Sequence, residues 1–421
     1  MNFKFIGGVR EIGKSCVLMQ DEGQKILFDY GMKVHQTQER PDEVELADYL
    51  IISHAHIDHF GFLPIFYRMA SAKMEKPTQS FCTHPTIPLM NLLFEDTIRI
   101  AEREQKNPPF SVNEMKRATR HCTSMPYNSP YIFPNGSSFE FLDAGHIEGS
   151  AQILYQGKKN VLYTGDINTL NTKMHDGAQS CKDKIDVMIT ESTYALRDHP
   201  NRDTMEREFC NALQDTVDNK GIALVPCFAI GRTQELLQVL LERKIDAEIY
   251  LDGMGIEATT IMLDFPEYLK DAKKLQRALE SSVIIEHNKK NALRKPGIII
   301  ATAGMLEGGP VLNYITKLNK IKNSKVFLTG FQAPNTNGRR LLQEGRIRIG
   351  RHFEKVGLEI QQYDFSAHSG KKELYDYVKK VNPEKVFCMH GDDESCSTFA
   401  EELKKEGFDA TAPRVNEKFE V

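Results

Sequence analysis

The segment Ser53-His54-Ala55-His56-Ile57-Asp58-His59 constrains this chain more than any other. Neutral imidazole and carboxylate are preferred ligands for zinc and similar divalent ions. Four of them within six residues, just after a strand, converge only if the chain turns sharply. Such a loop can give the His54 and His56 imidazoles to one ion and the Asp58–His59 pair to a second. Six of the thirteen histidines lie in this segment and in the short motifs that follow, a clustering that a merely polar loop does not explain.

Two later segments complete the set. Ala144-Gly145-His146 precedes Glu148-Gly149-Ser150, where glycines let backbone approach a metal closely, and Tyr163-Thr164-Gly165-Asp166 ends a strand with a carboxylate able to bridge two cations. Singly each is weak, since a lone histidine is usually a surface residue and a strand-terminal Asp often caps a helix. In this order after the His-rich loop, His146 and Asp166 are expected ligands.

The surrounding pattern supports a common site. Ile26–Asp29, Tyr49–Ser53, Asn160–Thr164 and Val187–Thr190 are apolar runs that end at polar residues, as buried strands do when they deliver functional groups at one sheet edge. From Tyr194 to Phe353 strands and helices alternate, with strands expected at Gly221–Val225, Glu248–Leu251, Gly297–Ala301 and Lys325–Thr329 and a helix over Arg232–Arg243. Such alternation implies a parallel sheet covered by helices. After Glu354 the first pattern returns, in strands expected at Gln361–Asp364 and Val386–Met389 and helices at Lys371–Lys380 and Ser397–Glu406. The simplest organisation is one metal-binding α/β domain, residues 1–193 and 354–421, split by an inserted α/β domain, residues 194–353.

Length suits this, since 421 residues exceed one ordinary core. No run approaches the roughly 18–20 apolar residues of a membrane span, and the N-terminus has no secretory apolar core. Eight scattered cysteines read as reduced thiols of a cytoplasmic protein. The net charge of −4 neither demands nor forbids a polyanionic partner, but residues 322–351 hold seven Lys/Arg against the single acid Glu344, a stripe able to meet phosphates.

On these motifs the chain resembles the metallo-β-lactamase superfamily as far as about Thr193. Asp29, in Leu27-Phe28-Asp29-Tyr30-Gly31, matches the superfamily's first motif, which orients ligand side chains. Three further residues narrow the branch: Glu191 in Thr190-Glu191-Ser192-Thr193-Tyr194, His368 in Asp364-Phe365-Ser366-Ala367-His368-Ser369, and His390 in Met389-His390-Gly391. Their order resembles the β-CASP nucleases. DNA-processing members typically carry valine at the third position, so His390 points to RNA. Phe365-Ser366-Ala367-His368, the segment Gly7–Gly13 and the segment Ala303–Pro310 are more similar to the nuclease subunit of the cleavage and polyadenylation specificity factor than to RNase J. The compact length is similar to a short archaeal relative without an extra N-terminal RNA-binding (KH) module. Gly370 departs from the pattern, since many relatives carry Asp there.

The resemblance implies an αββα metallo-β-lactamase sandwich split by an inserted β-CASP domain with a mainly parallel sheet. It implies two divalent ions, with zinc fitting the ligands best: His54, His56 and His146 on the first, Asp58, His59 and His390 on the second, Asp166 between them. Asp58 would accept a proton, while His368, oriented by Glu191, would protonate the leaving oxygen. Arg232 in Gly231-Arg232-Thr233 and Arg339 and Arg340 in Asn337-Gly338-Arg339-Arg340 would start helices near the substrate strand, with ion pairing as the competing structural role. The expected activity is hydrolysis of single-stranded RNA, endonucleolytic, in a cleft between domains of a homo-oligomer, a dimer by default. Alternatives are 5′-to-3′ exonuclease action of the RNase J type, a small-molecule thioesterase, and a silent RNA-binding scaffold.

Overall fold

The computed structural model describes residues 1–33, 46–71, 77–285 and 291–421. The chain forms two compact units. The first comprises Met1–Asn171, Asp176–Asp198 and His368–Val421, and the second Thr172–His175 with His199–Ala367.

Two seven-stranded sheets build the first unit. One runs β22 (Lys418–Glu420), β1 (Asn2–Gly7), β2 (Cys16–Asp21), β3 (Gln24–Phe28), β4 (Tyr49–Ile51), β5 (Gln79–Thr83), β6 (Cys122–Met125). The other runs β21 (Asp409–Thr411), β20 (Lys385–Met389), β11 (Val187–Glu191), β10 (Asn160–Tyr163), β9 (Ala151–Gln156), β8 (Ser138–Asp143), β7 (Tyr131–Ile132). Alternation explains the stacking. Phe28, Ile153, Val161, Tyr163, Val187, Ile189 and Phe387 face one core between the sheets. Leu154, Leu162, Met188 and Val386 point the other way, against Leu374, Val378, Phe399 and Leu403 of the helices Lys371–Val381 and Asp393–Lys405. Because both faces of these strands are buried, they read as continuous apolar runs. The helices Thr86–Arg103 and Val112–Arg120 lie along β5 and β6, giving a helix–sheet–sheet–helix order.

Topology brings the strand ends together. β3, β4 and β5 are mutually parallel, as are β10, β11 and β20, so the C-terminal ends within each group fall on one edge. β8 and β9 are antiparallel, and β9 is antiparallel to β10, which puts the β8–β9 connection on the same edge as the end of β10.

The second unit is a six-stranded, all-parallel sheet: β14 (Val283–Ile284), β13 (Ile249–Asp252), β15 (Gly297–Ala301), β12 (Ile222–Pro226), β16 (Lys325–Leu328), β19 (Glu359–Gln362). Ile298 and Ile300 pack on Leu236 and Leu240 of the helix Arg232–Arg243, while Ile299 packs on Tyr314 and Leu318 of the helix Val311–Leu318. A two-stranded antiparallel ribbon, β17 (Arg346–Ile349) and β18 (His352–Lys355), is attached. The strand expected at 361–364 as part of the first region is instead β19, which pairs with β16 and closes the sheet of the second unit. The chain re-enters the first unit at His368.

Candidate metal centre

The strand-edge rule delivers each expected ligand. His54, His56, Asp58 and His59 follow β4; His146 lies in the β8–β9 connection; Asp166 follows β10; His390 follows β20. All belong to the first unit. Their donor atoms form two compact groups, His54–His56–His146–Asp166 and Asp58–His59–His390, with a third, Asp166–Glu191–His390, overlapping them. His56 Nδ1 is 3.1 Å from both His54 Nε2 and His146 Nε2. Asp166 spans the groups: Oδ2 is 3.6 Å from His54 Nε2 and 3.7 Å from His146 Nε2, while Oδ1 is 3.3 Å from His59 Nε2 and 3.0 Å from His390 Nδ1. Asp58 Oδ2 is 3.3 Å from His390 Nε2.

These residues fit divalent cations on their own chemistry. His59 Nε2, Asp166 Oδ1 and His390 Nδ1 are buried and face one another at 3.0–3.3 Å without a well-aligned hydrogen bond among the described residues. A buried polar atom left this way is costly unless something supplies its missing partner. Burial lowers the imidazole of His56 to about 4 and that of His54 well below the ordinary value, so both are neutral donors.

Local backbone geometry tightens the cluster. Gly31 lies so close to the His-rich turn that a Cβ there would sit 1.6 Å from the Asp58 carbonyl oxygen. Backbone bonds from Ser15 N–H to Asp58 O, Tyr30 N–H to His59 O and Met32 N–H to Ile57 O clamp that turn. Gly145 has φ +68°, and a Cβ there would meet Asn168 O at 2.4 Å. His390 has φ +50°, and its N–H donates to Gly8 O.

Asp29 sits beneath the candidate ligands, accepting from Ser53 N–H, Ser53 Oγ–H and Tyr163 O–H at 2.7–2.8 Å and lying 2.7 Å from His59 Nδ1. That contact fixes the ring so that His59 Nε2 faces Asp166. Ser53 and Tyr163 were not singled out from sequence; they stand inside the quoted motifs, but an ordinary hydroxyl carries no spacing signal. His368 Nδ1 is 3.0 Å from both Glu191 oxygens, and its ring centroid is 4.5 Å from that of His146. Glu191 is buried and also accepts the Ile167 N–H at 2.7 Å. Burial pulls the His368 pKa down, but the Glu191 carboxylate outweighs it and holds the imidazole above its ordinary range. Tyr194, unmarked in the sequence, packs edge-on to His368 with Arg197 over its own ring.

The three arginines expected near substrate belong to the second unit. Arg232 begins the helix Arg232–Arg243 with its guanidinium 5.9 Å from the Phe365 ring. Arg339 is exposed in the first turn of the helix Asn337–Glu344, and Arg340 donates to Asn337 Oδ1.

Three family models match: Beta-Casp domain over residues 233–341, Zn-dependent metallo-hydrolase RNA specificity domain over 354–413, and Anti-Pycsar protein Apyc1 over 9–194. The chain is 37% identical to a protein named Probable RNase MJ4 from Methanocaldococcus jannaschii, with all of both chains covered. It is 33% identical to RNase aCSPSF2 from Saccharolobus solfataricus, over all of this chain and 86% of that one. A third relative, RNase J-like protein from M. jannaschii, is 34% identical over 94% of each chain. Among the described residues no helix is long and apolar enough to cross a membrane. With end-to-end matches at this identity, and the Beta-Casp and RNA-specificity models in sequence order, the chain belongs to the β-CASP family of metallo-β-lactamase-fold ribonucleases.

Proposed function

We propose that the chain hydrolyses phosphodiester bonds of single-stranded RNA, endonucleolytically, in RNA 3′-end processing or decay. The observation that carries this reading is the Glu191–His368 pair standing beside a buried cluster of seven candidate ligands. His54, His56 and His146 would hold one divalent ion, and Asp58, His59 and His390 a second, with Asp166 shared between them. Zinc suits the imidazole-rich set. When bound, such a pair of cations offsets phosphate charge and makes water acidic enough to serve as a nucleophile near neutral pH.

The chain's own groups do the rest. Asp29 aims His59 and so keeps the second ligand group in register. Asp58 accepts a proton as the nucleophile forms. His368, with Nδ1 committed to Glu191, carries its transferable proton on Nε2 and gives it to the departing oxygen. Arg232, Arg339 and Arg340 are expected to meet phosphates of the substrate strand. The domain division belongs to the same reading: residues 1–193 and 354–421 as the hydrolytic domain and 194–353 as the β-CASP domain, with β19 of the later stretch lent to the second unit's sheet. A cytoplasmic homodimer completes it, since eight unpaired cysteines suit a reducing compartment.

The test digests RNA labelled at either end with wild type and with His390→Ala. Internal fragments from 5′-blocked RNA are expected from wild type. Metal analysis should fall from two ions per chain toward one in the variant, with cleavage lost. Mononucleotides released only from 5′-monophosphate RNA would favour the exonuclease mode instead. Undiminished cleavage by His390→Ala would remove the second ion from this scheme.

A further inference from the structure

The β17–β18 ribbon presents one face made almost wholly of cations. Antiparallel register sets Arg346 opposite Lys355 and Arg348 opposite Phe353. Alternate residues of a strand share a face, so these four side chains stand together. Ile347, which points the other way, is buried in the core of the second unit. Arg351 follows at the ribbon's turn, and all four cations are exposed. Among the described residues none of Arg346, Arg348, Arg351 and Lys355 has a carboxylate within 4.0 Å. Lys325, from the same basic stretch of sequence, is by contrast paired with Glu359 at 2.9 Å.

An aromatic ring sits among these charges. Phe353 is 57% exposed, and the Arg340 guanidinium lies 5.3 Å from its centroid. The ribbon is held in place. Asn337 of the adjoining helix accepts from the Arg348 N–H at 2.7 Å and donates to the Arg348 carbonyl at 2.9 Å, and Val356 N–H bonds Gly345 O. On this fixed ribbon, cations of like sign stand side by side and a flat apolar ring faces water, each at a modest cost. Both costs are offset by a polyanion that also offers flat apolar faces. Unpaired bases do so, whereas paired bases present only their edges.

We propose that this face binds single-stranded RNA, with its cations on successive phosphates and Phe353 stacking on one base. The proposal rests on the reading of the chain as an RNA hydrolase and adds an attachment point for RNA on residues of the second unit.

The test measures fluorescence anisotropy of a labelled mixed-sequence RNA 20-mer titrated with the full, metal-loaded chain carrying His368→Ala, so that the RNA stays intact. Added to that background, Arg346→Gln with Arg348→Gln is expected to weaken binding about tenfold or more at 0.1 M salt. It should also flatten the dependence of log K on log salt by about 1.4, or roughly 0.7 per cation removed. Arg346→Lys with Arg348→Lys should keep the slope, which separates charge from misfolding. Phe353→Ala is expected to weaken binding roughly fivefold or more with the slope unchanged. Unchanged affinity in both the glutamine and alanine variants overturns the proposal. So does a duplex of the same sequence, or polyglutamate, held through the ribbon as tightly as the single strand. Cleavage by the unmodified chain is scored separately. Ribbon-dependent binding without cleavage leaves the ribbon standing and removes the hydrolase reading; cleavage with ribbon-independent binding does the reverse.

Discussion

His368 and Glu191 show how a single contact can set a working pH. In the proposed role the imidazole must be protonated to donate; burial alone disfavours that proton, and the carboxylate at 3.0 Å outweighs burial and favours it. Glu191→Gln keeps the shape and an acceptor for Ile167 N–H but removes the charge. The His368 pKa then falls, so the protonated fraction is lost at a lower pH. The alkaline limb of the kcat profile should therefore move toward acid, with roughly 10²–10⁴-fold lost near neutrality and much of it recovered below the new pKa. Single-turnover RNA cleavage across pH measures this, and a uniform drop with unchanged limbs would reduce Glu191 to a packing role. At this scale the sequence was most legible where spacing carries chemistry. His54, His56, Asp58 and His59 announce themselves within one turn, whereas Ser53 and Tyr163 support Asp29 through hydroxyls that any strand end could contain.

Elements bring these residues together, and one glycine shows how tightly. The turn holding His56–His59 is pressed against residues 30–32 by two backbone bonds and against Ser15 by a third, and Gly31 leaves no room for a methyl group beside the Asp58 carbonyl. Gly31→Ala must push the two segments apart and so displace Asp58 and His59 together, while the sheets on either side keep their cores. The expected outcome is a folded protein, by circular dichroism, that binds about one metal ion fewer than the parent. Full metal content in that variant would mean the turn yields without disturbing its ligands. Strand positions were readable because apolar runs ending in polar residues mark buried parallel strands, and the helix Arg232–Arg243 follows its leucine spacing. Pairing partners were not. β19 is a short Glu-Ile-Gln-Gln strand whose local pattern cannot say which sheet it joins, and it closes the second unit's sheet. The ribbon's cation face was hidden for the same reason, since a charge stripe becomes a face only once Arg346 is known to oppose Lys355.

Across the whole molecule, the candidate ligands tie the beginning of the chain to its end. Asp58 and His390 are 332 residues apart in sequence, and the second unit's entire sheet is built from the chain between them. Cations held at this cluster would join strand ends from both sheets of the first unit, and they would sit among His59 Nε2, Asp166 Oδ1 and His390 Nδ1, which otherwise crowd one another. Among the described residues the second unit has no comparable group of histidines and carboxylates, and its two cores are apolar. Metal removal should therefore act on one unit and spare the other. An ion at a hundred times its dissociation constant contributes about 2.7 kcal/mol to the state that binds it. For a unit of this size that corresponds to roughly 5–10 °C per ion. Scanning calorimetry of the chelator-stripped chain should show one transition lowered by that amount or more and a second unmoved, with zinc restoring the first. A stripped protein that melts as the loaded one does would mean that the histidines and carboxylates pack without a cation, and the hydrolytic reading would lose its foundation.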